Sequence, residues 1–251
     1  PRRPTGNKVI DMLLGGGVRD NDLTLVMGPV GGGKTLMTIN TSITQAKLFN
    51  KSTREIAALF TVEQAYAPQI RERIWTAVSR VDRKVIEGQT LRTIPPEVRK
   101  KIETHEALSR LQVIDFSDGI ASAGGVDAIR NVIHQYNAEG RTVRGVYIDW
   151  LGVLADHVLA ASSGGRGNDP QSRKRTTMEF MMTQLKQLTN LYNVPIFITH
   201  QLTVDSAKKS LMYEPSQYDG ADAGGLSRLC DNCITMSKID TTSGVLKVVN
   251  A

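Results

Sequence analysis

The stretch "GPVGGGKT", Gly28 to Thr35, constrains this chain more than any other, because few folds can use three consecutive glycines followed by Lys and Thr. The residues before it, "NDLTLVM", are apolar and β-favouring, and those after it, "LMTINTSITQAKLF", place apolar side chains at helical spacing. The glycines therefore join a buried strand to a helix. In the pattern GxxxxGK[ST] they let successive backbone N–H groups turn inward around phosphate oxygens. Lys34 adds a charge that reaches the β and γ phosphates, and Thr35 offers a hydroxyl to Mg²⁺. The helix that starts here contributes the positive end of its dipole. Gly28, Pro29, Val30, Gly31, Gly32, Gly33, Lys34 and Thr35 are accordingly read as a cradle for a nucleoside triphosphate.

A chain of 251 residues can bury one sizeable core. We read one domain over residues 9–251, preceded by a basic, Pro-containing segment, "PRRPTGNK", that resembles the end of a linker. No apolar run reaches the length of a membrane span, and no charged-then-apolar leader opens the chain, so a cytoplasmic protein without membrane association is expected. Net charge is +6, with a sequence pI near 9.4, which suits a polyanionic partner. The two cysteines, Cys230 and Cys233 in "CDNC", have no second Cys/His cluster to complete a zinc site. They are read as small apolar residues at the start of a buried strand.

Along the chain, apolar strands alternate with amphipathic helices. The strands are "NDLTLVM", "REIAALFTVEQ", "LQVIDF", "RGVYIDWLGVL", "VPIFITHQ", "NCITMSK" and "VLKVVN". Helices are expected in "APQIRERIWTAVSRV" and "PPEVRKKIETHEALSRL", which form a helical insertion at about 66–112, and in "GGVDAIRNVIHQYNAEG" and "TTMEFMMTQLKQLTNLYN". Two polar loops stand out, "ASSGGRGNDPQSRKR" and the stretch from Gln201 to about Leu226. This alternation predicts an α/β fold of the P-loop type, a mostly parallel twisted sheet with helices on both faces.

Hydrolysis needs an acid that holds Mg²⁺ and a group that activates water. Asp149 ends the run "RGVYID" at the sheet edge where ligands bind in open α/β sheets, and is read as the magnesium-site acid. Asp156 competes with it, but lies beyond the strand, in expected loop. Glu63 ends the strand after the phosphate-loop helix, beside Thr61 and Gln64, and is placed to orient and deprotonate water. "IFITHQL" ends in Thr199, His200 and Gln201, polar groups that suit a γ-phosphate better than a strand interior. Gln201 is the preferred sensor of that phosphate, with His200 as a second candidate.

In this order and spacing the motifs resemble the RecA-like core of hexameric replicative helicases, the DnaB-like family with its phage members. The likeness rests on "TGNKVIDMLLGGGVRDNDLTLVMGPVGGGKT", "LFTVEQ", "LRTIPPEVRKKI", "VYIDWLGVL", "FMMTQLKQLTNLYNVPIFITHQL" and "LSRLCDNCITMSK", and covers nearly all of the chain. It implies ATP and Mg²⁺ as ligands, Lys34 and Thr35 on phosphate and metal, Glu63 as catalytic base, Asp149 as metal-site acid and Gln201 as sensor. It also implies a homo-hexameric ring with ATP between neighbours, single-stranded DNA in the channel and 5′ to 3′ movement. Primase, a helicase loader and polymerase components of the replisome are the implied partners, in a bacterial cell or phage-infected host. Two channel loops would contact DNA phosphates, one with Arg166, Arg173, Lys174 and Arg175, the other with Lys208 and Lys209. Only Tyr213 and Tyr218 are aromatic in the second loop, which favours backbone tracking over base stacking. The family's trans-acting basic finger follows the strand that "VLKVVNA" resembles and is expected beyond Ala251. The family's N-terminal domain and linker helix are expected before Thr5.

Other readings share the phosphate loop. A recombinase-like or clock-type ATPase would carry both acids, but the helical insertion and "ITHQL" match the helicases better. A nucleotide-dependent assembly switch or loader would hydrolyse little. A metabolic kinase would need an acceptor pocket and a lid, and the sequence offers neither.

Overall fold

The computed structural model describes residues 1–49, 54–120, 122–162, 169–202, 225–238 and 246–250, with the last strand and residues 237–238 described by backbone alone. Seven strands form one sheet in the order β5 (Leu111–Asp115), β4 (Glu55–Thr61), β6 (Thr142–Asp149), β7 (Ile196–Gln201), β3 (Leu23–Gly28), β8 (Asn232–Lys238), β9 (Leu246–Asn250). Every neighbouring pair is parallel except β8 with β9. A small antiparallel pair, β1 (Arg2–Arg3) with β2 (Val18–Arg19), lies outside it and anchors the first residues of the chain. The expected linker segment thus carries ordered contacts: Thr5 is buried, and Arg3 donates to the Arg144 carbonyl at 2.7 Å.

Central strands buried on both faces should read as continuous apolar runs, and β3 is buried at all six positions. One face packs on α5 (Val126–Ala138), α6 (Leu151–Ala161) and α7 (Pro170–Tyr192) through Ile129, Ile133, Leu154, Met178, Met182 and Leu185. The other packs on α1 (Lys8–Leu13), α2 (Lys34–Leu48), α3 (Arg71–Ser79) and α4 (Pro96–Glu103) through Ile10, Ile39, Ile74, Trp75 and Val98. Cys233 sits buried in β8 and Cys230 just before it, both as free thiols. No helix among the described residues is long and apolar enough to cross a membrane.

Three local expectations need correction. The strand expected to run through "WLGVL" stops at Asp149, and α6 begins at Leu151. Its apolar Leu151, Leu154, Ala155 and Val158 repeat at helical spacing, a signal masked by the apolar strand before it. Asp156 is therefore on a helix, not in a loop. The loop expected to run through Arg175 ends at Asp169, which caps α7 by accepting from the Ser172 N–H at 3.1 Å, with Pro170 at the first helical position. The helix expected through Leu111 ends at Glu103, and residues 104–110 are turns leading into β5.

Candidate functional site

Parallel pairing sets the ends of four strands side by side. Thr61 pairs with Asp149, Ile148 with Ile198, and Gly28 with Gln201, so β4, β6, β7 and β3 deliver their next residues to one edge. There they line a cavity of about 280 Å³ formed by residues 30–36, Glu63, Gln64, Arg73, Asp149, Trp150 and Gln201.

The phosphate loop adopts the conformation its glycines allow. Gly31 and Gly33 have φ of +68° and +85°, the left-handed region that side chains avoid, and Gly33 caps α2. A Cβ on Gly32 would stand 2.9 Å from the Pro29 carbonyl oxygen. The Lys34 ammonium folds back to donate to the carbonyls of Gly28 at 2.9 Å and Pro29 at 2.8 Å. Burial pulls this amine below the usual lysine range, against the opposing pull of Asp149 and then Glu63.

Asp149 is 4% exposed and satisfied at both oxygens. Thr35 Oγ1 donates to Oδ2 and Thr199 Oγ1 to Oδ1, each at 2.6 Å. A hydroxyl spending its proton on Asp149 keeps its oxygen lone pairs for a metal. Among the described residues no group of three or more His, Cys, Asp or Glu could hold a metal by itself. A site of one carboxylate and one hydroxyl with phosphates to complete it suits Mg²⁺, a hard cation that keeps waters and shares substrate oxygens. The residues present fit that ion.

Glu63 lies two residues past β4 in a bend, exposed at the cavity wall. Gln201 closes β7 at the same wall, whereas His200 is 1% exposed, outside the cavity lining, with its ring centroid 5.8 Å from that of Trp150. The structure therefore brings Lys34, Thr35, Glu63, Asp149 and Gln201 together and sets His200 behind them. Sequence reasoning notes Thr199 and Gln64 as polar neighbours without assigning them a role, and misses Arg73 and Trp150 as site residues. Thr199 belongs to the polar trio that ends β7, and the pairing of Ile148 with Ile198 sets it beside Asp149. Arg73, ten residues past Glu63 on α3, carries no signal in a single sequence.

Of the residues assigned to DNA, Arg173, Lys174 and Arg175 are in the first turn and a half of α7. Lys174 pairs with Asp156 at 2.7 Å and Arg175 with Glu179 at 3.0 Å. Arg166, Lys208, Lys209, Tyr213 and Tyr218 lie outside the described residues.

The family model for the DnaB-like helicase C terminal domain matches residues 4–242. Among solved structures, the ATPase domain of a phage helicase superposes with a TM-score of 0.73 at 14% identity, over 99% of this chain and 82% of that one. A DnaB-like replicative helicase whose structure was described with its interactions with primase superposes with a TM-score of 0.71 at 16% identity. This chain is covered to 99% in that match and spans 56% of the other. At these identities the superpositions establish the RecA-like α/β fold, and the family match, which spans nearly the whole chain, establishes kinship. The chain belongs to the DnaB-like helicase C-terminal domain family, the ATPase domain of replicative helicases.

Proposed function

We propose that this domain hydrolyses ATP at the boundaries of a homo-hexameric ring and uses the energy to move along single-stranded DNA. The observation that carries this reading is the convergence of Lys34, Thr35, Glu63, Asp149 and Gln201 on one cavity, with Thr35 already bonded to Asp149. Lys34 releases the loop carbonyls and turns to the β and γ phosphates. Thr35 and Asp149 would hold Mg²⁺, which would supply positive charge to offset that of the phosphates. Glu63 accepts a proton from water as its oxygen bonds to the γ phosphorus and the bond to the bridging oxygen breaks, leaving ADP and phosphate. Gln201 donates to the γ phosphate and senses its departure, and His200 backs Trp150 at the cavity wall.

Assembly is supported by the surface around the loop. Val30 is 76% exposed and Leu36 47%, large apolar side chains that a neighbouring subunit would cover. Arg166, Lys208 and Lys209 are proposed to meet DNA phosphates, and movement 5′ to 3′ follows the family. Primase is the first partner to test, since it accompanies a structural relative; a loader and polymerase components rest on kinship alone, as does a cytoplasmic location. The deciding experiment measures ATP hydrolysis with and without single-stranded DNA across a salt series. Stimulation that fades as salt rises supports the motor; ATP binding without stimulation at any salt overturns it in favour of an assembly switch.

A further inference from the structure

Glu63 belongs to no helix or strand, so something must hold it if it is to act on a water. The segment 62–66 that carries it is tied at both ends. The Val62 N–H donates to the Asp149 carbonyl at 2.8 Å, and the Tyr66 N–H donates to Oδ2 of Asp115 at 2.8 Å. Asp115 is itself fixed. It closes β5 opposite Thr61, the Phe116 N–H donates to the Thr61 carbonyl at 2.8 Å, and Oδ1 accepts from Ser117 N at 2.9 Å and Ser117 Oγ at 2.6 Å.

We propose that Asp115 is a positioning residue for Glu63: its carboxylate pins the far end of the 62–66 segment and so sets where the Glu63 carboxylate stands over the cavity. The inference rests on Glu63 being the catalytic base. Both ties reach strands of the same sheet, β6 on one side and β5 on the other, so the segment spans the end of β4 like a strap fastened to its two neighbours. Partial burial alone would raise the Asp115 carboxyl, but the bonds from the Ser117 side chain, Tyr66 and Ser117 backbone outweigh it and hold the group below the usual carboxylate range. The same bonds therefore favour the ionised form of the acceptor. Displacing a catalytic group by about 1 Å can cost about 100-fold in rate, with binding of the substrate untouched.

The test is single-turnover ATP hydrolysis by Asp115→Ala in the wild-type and the Glu63→Gln backgrounds, with ATP affinity measured alongside. The expected result is a loss of about 10- to 100-fold in rate with ATP affinity within about twofold. Asp115→Asn, which keeps the shape and one acceptor oxygen, should recover part of the rate. In the Glu63→Gln background the same change should cost nothing further, because the group it positions is gone. Full activity of Asp115→Ala, a loss that multiplies with that of Glu63→Gln, or a loss confined to ATP affinity would each overturn the proposal. If Glu63→Gln itself turns over normally, the reading of Glu63 as base fails and this proposal falls with it. If Glu63→Gln is inactive while Asp115→Ala is not, the role of Asp115 alone fails.

Discussion

The Thr35 hydroxyl donates to Oδ2 of Asp149 at 2.6 Å, joining residues 114 positions apart. The phosphate loop and the acidic strand end are thus already in register. Thr199 holds the other oxygen, so the carboxylate cannot swing away from the loop.

If Asp149 holds Mg²⁺ as proposed, Thr199 should influence metal use. Thr199→Val keeps the buried shape and removes the bond to Oδ1, freeing Asp149 to rotate. The Mg²⁺ concentration needed for half-maximal ATP hydrolysis should rise by about 10-fold, in line with the effect of outer partners at metal sites. Asp149→Asn should abolish the Mg²⁺ response. An unchanged Mg²⁺ titration for Thr199→Val would show that the hydroxyl only fills space.

The Lys34 amine carries a pH dependence whose sign can be worked out. Its value in the folded protein is lowered from the ordinary 10.5, by burial against the pull of Asp149 and Glu63. Between the lowered value and 10.5 the unfolded chain binds more protons than the folded one, so this group makes stability rise with pH in that window. Triphosphate binding needs the ammonium, and should weaken over the same window while taking up a proton. Calorimetry of ATP binding in two buffers of different ionisation enthalpy, for wild type and Lys34→Met, reads this directly. Equal heats in both buffers for the wild type at alkaline pH would refute it.

How much of this can be read from the chain varies from residue to residue. The strand, loop and helix around Gly28–Thr35 are legible because the motif and the periodicity agree. Asp149 and Gln201 are legible because an apolar strand that ends in a polar group exposes where the sheet edge lies. Glu63 reads as the end of its strand, yet stands two residues beyond it, since an apolar Val62 extends the pattern past Thr61, where β4 ends. The break between Asp149 and Leu151 is invisible because buried strand and buried helix share one composition. Arg73 is hidden for a different reason: its position depends on how α3 packs against α2, which local pattern does not encode.

Lys174 should contribute little to DNA binding despite its place in a basic cluster. Its amine is held by Asp156 at 2.7 Å, and Arg175 is turned along its own helix to Glu179. Lys174→Ala is therefore expected to change affinity for single-stranded DNA by no more than about twofold, because the adjacent Asp156 carboxylate offsets the charge that a phosphate would meet. Replacing both Lys208 and Lys209 should instead lower affinity at low salt and flatten the slope of log affinity against log salt by about 0.7 for each phosphate no longer neutralised. A flattened slope for Lys174→Ala would return it to the DNA-contacting set.

Arg110 ties the start of the edge strand β5 to the C-terminal end of α2. The guanidinium is 7% exposed and donates through Nη1 to the carbonyls of Ala46 at 2.9 Å and Lys47 at 3.3 Å, in the last turn of α2, and of Phe49, its C-cap. Those carbonyls have no partner within the helix, and a cation at a helix C-terminus also meets the negative end of the dipole. The opposite end of the same helix begins at Lys34. Arg110→Ala leaves the buried Ala46 and Phe49 carbonyls without this donor and should cost about 2–3 kcal/mol in denaturant unfolding. Because the N-terminal turn keeps its own bonds, ATP affinity below the unfolding transition should stay within about twofold of wild type. A large loss of ATP affinity in a variant that remains folded would mean that strain at the C-terminus of α2 reaches the phosphate loop, and that the helix acts as a rigid lever between them.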